Sequence, residues 1–405
     1  LDDGDIAYTI VTDAASSADP NYNGINPADV GVTNSDDDTS GITVSPTSGL
    51  ITTEAGGTAT FTVVLNSQPS GDVIVPVSSS DTTEGTVSPT PLTFTNANWN
   101  IAQTITVTGA DDFLDDGDIA YTIVTDAAVS ADPNYDGINP ADVGVTNSDD
   151  DAAGITVSPT SGLITTEAGG TASFTIVLNS QPIGDVTLPV SSSDTTEGTV
   201  NPTLLTFTNA NWNVAQTVTV TGADDFLDDG DIAYTIVTDA AVSADPNYDG
   251  INPADVGVTN SDDDAAGITV SPTSGLITTE AGGTASFTIV LNSQPIGDVT
   301  LPVSSSDTTE GTVSPTLLTF TSADWSVAQT ITVTGADDFL DDGDIAYTIV
   351  TDAASSADPN YDGINPANVG VTNSDDDAAG ITIDPISGLI TTETGGTATF
   401  TVVLN

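Results

Sequence analysis

A fifteen-residue string, LDDGDIAYTIVTDAA, begins at Leu1 and returns almost unchanged at Leu114, Leu227 and Leu340. Self-similarity at a fixed 113-residue period means one folding unit strung out in tandem. A unit of that size is large enough to bury its own core. The 405 residues hold about three and a half copies. Segment 1–40 is the C-terminal part of a repeat, 41–153, 154–266 and 267–379 are whole repeats, and 380–405 is an N-terminal part. No initiator Met, signal peptide or membrane-spanning run is present, so the chain reads as an interior piece of something longer. The missing targeting segments therefore carry no information on localisation.

The repeat from Gly154 to Ala266 contains no helical period. Turn-rich segments break it into short runs of Val, Ile, Thr and Phe. Seven strands are expected. The first is Ile155-Thr156-Val157 with its continuation Leu163-Ile164-Thr165. The second, Thr171 to Leu178, turns Ala172, Phe174, Ile176 and Leu178 to one side. The third, Asp185 to Ser191, points Val186, Leu188 and Val190 inward, and its Pro189, lacking an N–H, argues for a sheet edge. The fourth carries Leu205 and Phe207. Trp212 leads into the fifth, with Val214, Val218 and Val220. The sixth, Asp231 to Thr238, buries Ile232, Tyr234 and Ile236, and the seventh carries Val256 and Val258. Seven short alternating strands predict an all-β, immunoglobulin-like antiparallel sandwich, strung in tandem as a rod. The outward positions are mostly Thr and Ser, which suit a solvated sheet and are also acceptors for O-glycosylation. Copies join through two residues only: Thr39-Ser40, Ala152-Ala153, Ala265-Ala266 and Ala378-Ala379. Flexible linkers are longer, so neighbouring units are expected to touch.

The charge balance is one-sided. There are 59 acids and no Lys, Arg, His, Cys or Met. No internal salt bridge, disulfide or Lys–Asn isopeptide bond can form, and at a formal −59 the folded chain repels itself. Nucleic acid and anionic membrane are poor partners, because both are held by Lys and Arg, and no direct membrane insertion is expected of this segment. High charge favours disorder, but 37% hydrophobic residues in a period-2 pattern favour a fold. Most nucleophiles, bases and oxyanion donors are missing, so the chain does not read as an enzyme. A carboxylate pair can hydrolyse glycosides, yet near-identical tandem copies are a poor way to present one cleft.

The acids are clustered. Between Gly154 and Ala266 there are 14 Asp and 2 Glu, densest in Asp224-Asp225-Phe226-Leu227-Asp228-Asp229-Gly230-Asp231 and Asp262-Asp263-Asp264. In an antiparallel sandwich the first, third and fifth connections lie at one end, where the seventh strand also finishes. Glu167 is in the first connection, Asp194 and Glu197 are in the third, and Asp224 to Asp231 form the fifth. All the strongest acidic groups therefore converge on one pole. The loop with Asp245, Asp249 and Asp255 lies at the other pole and, head to tail, faces the previous unit's acidic pole. Carboxylates at this density call for a cation. Calcium accepts six to eight oxygens in flexible geometry, about 2.3–2.6 Å away. Zinc and copper lack their usual His and Cys ligands, and magnesium prefers to keep several waters. An EF-hand at Asp224 to Asp231 is excluded by the strand that follows. The Asp245-Pro246-Asn247-Tyr248-Asp249-Gly250 run is an adequate turn without metal. Spread-out acids of salt-adapted proteins are the bland alternative. Trp212 and Tyr234 read as core and corner residues, whereas Phe226 and Leu227, inside an acidic loop, read as an anchor or as a contact with the next unit.

Taken in order, Glu167-Ala168-Gly169-Gly170, Leu205-Thr206-Phe207, Asn211-Trp212, Gln216-Thr217-Val218-Thr219-Val220, the Asp run and the closing Asp triplet resemble the Calx-beta domain. That family occurs in the regulatory region of sodium–calcium exchangers and in large bacterial surface proteins. The resemblance covers essentially the whole repeat. It implies calcium ions clustered at the acidic pole. Carried over, the metal ligands are Glu167, Asp194, Asp224, Asp225, Asp228, Asp229, Asp231, Asp262, Asp263 and Asp264. The preceding copy offers Glu54, Asp81, Asp111, Asp112, Asp115, Asp116, Asp118, Asp149, Asp150 and Asp151. The following copy offers Glu280, Asp307, Asp337, Asp338, Asp341, Asp342, Asp344, Asp375, Asp376 and Asp377. The run Asp-Asp-Phe-Leu-Asp-Asp-Gly-Asp departs from the family's usual Asp triplet followed by Glu. The expected function is an extracellular, bacterial, calcium-stiffened stalk of an adhesin or body of a surface filament. Its partners would be calcium, neighbouring repeats and other chains of the same filament. A ligand-binding adhesin module and a calcium sensor are the competing readings.

Overall fold

A computed structural model describes residues 1–405. It contains strands and turns but no helix, and hence no helix able to cross a membrane. The repeat 154–266 has ten strands: β1 (Ile155–Ser158), β2 (Leu163–Thr166), β3 (Thr171–Leu178), β4 (Val186–Ser192), β5 (Gly198–Asn201), β6 (Leu204–Phe207), β7 (Gln216–Gly222), β8 (Ile232–Thr238), β9 (Val242–Ser243) and β10 (Val256–Ser261). One sheet has the order β1-β3-β7-β5, the other β2-β10-β8-β4-β6, with β9 also paired to β4. All pairs are antiparallel except β2 with β10, which run parallel from Leu163 opposite Val258 to Thr166 opposite Ser261. The chain is thus a tandem array of all-β sandwiches.

Alternation decides which residues meet between the sheets. Phe174, Ile176 and Leu178 from β3 face Tyr234 and Ile236 from β8, with Val218 and Val220 from β7 completing the layer. Each whole repeat buries sixteen such residues in a core of its own. Tyr234 belongs to that core, and Trp212 is half-buried against it. At the chain's ends the pairs Ile6–Ile10 with Val30–Asn34, and Ile381–Asp384 with Thr401–Leu404, have no second sheet over them. Tyr8 is accordingly 51% exposed where its counterpart Tyr121 is 6% exposed.

Pro189 is not on an edge. β4 lies between β8 and β6, and Pro189 marks the point where its pairing shifts. Val186 to Pro189 pair with β6, and Val190 to Ser192 pair with β8. The missing N–H falls at that handover, and the Pro189 carbonyl still accepts the Asp239 N–H at 3.1 Å. In the preceding repeat the strand is interrupted at the equivalent Pro76. The expected first strand is divided between the two sheets. Val214 lies before β7, exposed, rather than in the strand. β5 and β9 were not foreseen. The expectation of no internal salt bridge fails once, because it overlooked the terminal amine: Leu1 pairs through it with Asp38 at 3.0 Å.

Because each core is separate, Phe174→Ala should destabilise one repeat by about 3–5 kcal/mol. At about 4 °C per kcal/mol, calorimetry should show roughly a third of the unfolding enthalpy moving more than about 10 °C lower. A uniform shift of the whole transition would mean the repeats do not unfold independently.

Candidate metal centre

The ladders themselves deliver the acids to one pole. Beyond the last β2–β10 pair, the Glu167 N–H continues to the Ser261 carbonyl at 3.1 Å. Glu167 therefore sits beside the Asp262-Asp263-Asp264 triplet. A tight turn follows, with Gly169 at φ 81°, a conformation that favours glycine. Beyond β5–β7, the Ala223 N–H donates to the Glu197 carbonyl at 3.0 Å, which puts Glu197 beside Asp224 and Asp225.

Two carboxylate groups result. In the first, oxygens of Glu167, Asp224, Asp263 and Asp264 lie within 4.8 Å of one another. In the second, Glu197, Asp225 and Asp229 do the same. The preceding copy gathers Glu54 with Asp149 and Asp151, Asp111 with Asp150 and Asp151, and Glu84 with Asp112 and Asp116. In the following copy Glu280 feels Asp375 and Asp338, and Glu310 feels Asp342 and Asp338. Glu84, Glu197 and Glu310, absent from the ligand set that the resemblance implies, are buried at the heart of the second group.

Other expected ligands shape loops. Asp194 accepts from the Thr196 N–H at 3.0 Å and its hydroxyl at 2.5 Å, bonds that hold its carboxyl below the usual range. Asp81 and Asp307 are held low in the same way by Thr83 and Thr309. Asp228 accepts the Ala266 N–H at 2.8 Å, and Asp231 accepts from the Ser261 hydroxyl and the Asp262 N–H. Asp262 accepts the Gly230 and Asp264 N–H groups. Asp115 and Asp341 accept the Ala153 and Ala379 N–H groups, and Asp118 and Asp344 bond Ser148 and Ser374. At the opposite pole Asp245 is saturated by the Ile183 and Asn247 N–H groups. That loop is a self-held turn, anchored by Tyr248, whose hydroxyl donates to the Ser180 carbonyl at 2.7 Å.

Inside the first group the opposite holds. Glu167 is only 3% exposed, and its Oε2 has no hydrogen-bond partner. The Oδ2 atoms of Asp264 and Asp377 are likewise buried and unpartnered. Such oxygens are costly unless something binds them. Burial, and then the nearby Asp262 and Asp225, push the Glu167 carboxyl up to about 7. Burial does the same to Glu54 and Glu280, each to about 7. Burial and like charge also raise Asp116, Asp151, Asp229, Asp264, Asp342 and Asp377. Oxygen-only, with Glu167 buried, Asp264 half-buried and one oxygen of each unpartnered, the group fits a hard divalent cation of calcium's type.

The loop between the two groups faces the next repeat. Phe226 adopts φ 68°, and Phe113 and Phe339 do the same at 90° and 64°. Left-handed backbone at a bulky residue costs of order 1–3 kcal/mol and persists only where surroundings enforce it. The Phe226 ring lies 6.2 Å from Trp325 of the following repeat, and its carbonyl accepts the Gln294 N–H at 2.7 Å. Leu227 bridges to Gln294, and Asn360 donates to the Asp228 carbonyl. Phe113 meets Trp212 at 6.1 Å in the same manner. Phe226 is 50% exposed, while Phe339, without a complete repeat beyond it, is 77% exposed. Of the two readings for these aromatics, contact with the next unit is the one realised.

The raised carboxyls set a sign for pH dependence. Their folded pKa lies above the unfolded value near 4.5, so their contribution is fully present below that value and lost as pH rises through about 7. A metal-free chain should therefore melt higher at pH 5 than at pH 7.5. Glu54→Gln, Glu167→Gln and Glu280→Gln together should flatten that slope. Bound metal requires deprotonated ligands and should reverse it. Melting curves on metal-stripped protein measure all three.

No family model and no curated protein matches the chain. Among solved structures, the CBD12 fragment of CALX1.2 matches at 16% identity, covering 50% of this chain and 81% of that one, with a TM-score of 0.26. Domains 4 and 5 of the S-layer protein SbsC match at 16% identity over 46% of this chain and 77% of theirs, TM-score 0.24. Domains 1–6 of SbsC match at 12% identity over 90% of this chain and 58% of theirs, TM-score 0.23.

Proposed function

We propose that this chain is a calcium-binding structural repeat protein of the cell exterior, working as the stiff stalk of an adhesin or the body of a surface filament. The observation that carries the reading is the buried, unpartnered Glu167 oxygen facing Asp224, Asp263 and Asp264. Its counterparts Glu54 and Glu280 are equally buried, each with the same oxygen accepting one long N–H contact at 3.4 Å. Glu167, Asp224, Asp263 and Asp264 would hold one ion, and Glu197, Asp225 and Asp229 a neighbouring one. The cation would supply positive charge where this chain has no other source. Asp262, Asp228, Asp231 and Asp194 keep the loops in shape around it.

The units 41–153, 154–266 and 267–379 act as domains on this reading, each joined to the next by the Phe–Trp contact and the two-residue link. Metal ligands and joint residues share the loop Asp224 to Asp231. An ion that orders this loop would therefore order the joint, and the array would lengthen as a rod. Weak extracellular modules bind calcium at about 10⁻⁴–10⁻³ M, matching the millimolar calcium outside cells. Absence of Lys and Arg also removes every trypsin-type cleavage site.

Ion binding to the folded state alone adds about 2.7 kcal/mol per site at a hundredfold excess over the dissociation constant. Saturating calcium should thus raise the melting temperature of each repeat by roughly 10 °C for each ion that repeat holds. Magnesium, which keeps its waters, should do much less. The triple Glu→Gln variant should melt higher than the parent without metal and gain less from calcium. Equal melting in calcium and in chelator would refute the proposal.

A further inference from the structure

Not one Asp or Glu lies in any strand of the three whole repeats. Every charge in that stretch sits in the loops, so each repeat is an uncharged waist between charged ends. Sheets normally protect themselves from edge and face pairing with charged residues, above all Lys. Here the outer strands β1, β2, β5 and β6 read ITVS, LITT, GTVN and LLTF, with no such protection.

The two sheet faces are not equivalent. The β1-β3-β7-β5 face presents Thr156, Thr175, Thr217, Thr219 and Thr221, a hydroxyl surface. The β2-β10-β8-β4-β6 face carries Ile164 on one outer strand, 63% exposed, and Leu204 on the other, 55% exposed. Over β8 and β10 of the same face lies a shallow trough of about 360 Å³, lined by Ala233 and Gly257 with Thr235 and Thr259. A Cβ on Gly257 would meet nothing closer than 3.9 Å, so the floor is open to a partner. The exposed isoleucine on the outer strand recurs with the repeat, as Ile51, Ile164 and Ile277.

We propose that the β2-β10-β8-β4-β6 face is a lateral docking surface for a second copy of this chain, side by side along the array. The charge pattern selects that partner. A cationic partner would be drawn to the acidic poles, and an anionic one repelled by them. A second copy offers an equally uncharged waist at the same 113-residue spacing, so several waists engage together and weak contacts multiply. Pole then lies against pole, and the approach requires those charges to be neutralised or screened. The inference rests on the calcium reading for its physiological trigger, though not for the surface itself.

The test is sedimentation velocity of the full chain in millimolar calcium, in chelator, and in chelator with 1 M NaCl, where screening acts within about 3 Å. Calcium binding is measured on the same samples by calorimetry. Association to at least twice the monomer mass is expected in calcium and in high salt, and none in chelator alone. Ile51→Asp, Ile164→Asp and Ile277→Asp together should abolish it, as should Leu204→Asp with Leu317→Asp. These side chains point to solvent, and unchanged melting confirms that the variants fold. Thr219→Asp, on the hydroxyl face, should leave association intact. Association in salt without calcium binding would keep the docking surface and remove the calcium reading. A chain that binds calcium yet stays monomeric in every condition, or variants that associate as the parent does, would overturn the inference.

Discussion

Every carboxylate in this chain must be balanced without a cationic side chain. Only backbone and side-chain N–H and O–H donors, or ions from solution, are available. Loop carboxylates such as Asp194, Asp228, Asp231, Asp245 and Asp262 take the first route, and each stiffens the turn it bonds. In the group of Glu167, Asp224, Asp263 and Asp264, one oxygen of Glu167 and one of Asp264 find no donor, and the mutual repulsion of the four is what a cation would relieve. The same residue type thus divides into loop formers and ion seekers according to whether a donor lies within reach. Beneath them a buried ladder supports the pole. The Thr165 hydroxyl donates to Asn260 at 3.0 Å and lies 3.2 Å from the Tyr234 hydroxyl, and Asn260 donates on to the Ala223 carbonyl. The backbone here is so close that a methyl on Gly198 would overlap the Tyr234 hydroxyl.

Much of this was legible in the sequence, because period and alternation are strong signals. Phe174, Ile176 and Leu178, or Tyr234 and Ile236, could face only one way once their strands were recognised. Strand parity alone placed Glu167, Asp224 and Asp264 at a common end, and it set the Asp245 loop against the previous unit. Short elements left no such trace. β5 buries few residues and β9 has only two, too little for a period to register. Pro189 was ambiguous because a missing N–H fits an edge and a change of partner equally well. Choosing between Asp194 and Glu197 required the turn itself. The short Asp194 side chain is captured by Thr196, while Glu197, at the start of the β5 ladder, reaches the acidic pole.

Phe226 shows a local rule broken inside its own loop and used across the joint. Asp225 accepts the Leu227 N–H at 2.9 Å and closes a turn around the phenylalanine, and Phe339, with no complete repeat beyond it, keeps the same left-handed backbone at φ 64°. The loop sets the conformation, and Trp325 and Gln294 receive what it projects. Near-identity of the copies makes this economical. One sequence supplies both the protruding loop and the surface that receives it, so any number of units can be added without a new interface.

The parallel pairing of β2 with β10 has a mechanical consequence. Near the start of each unit the chain runs up along β2, and near the end it leaves along β10 in the same direction. Tension applied to the two ends of a unit therefore pulls these strands past each other lengthwise. The bonds from Leu163–Val258 to Thr166–Ser261 are loaded in shear, together, rather than peeled open one after another. Glu167 and the Asp262–Asp264 triplet follow immediately beyond that patch, so an ion held by Glu167, Asp263 and Asp264 would tie the two strands at the end of the clamp.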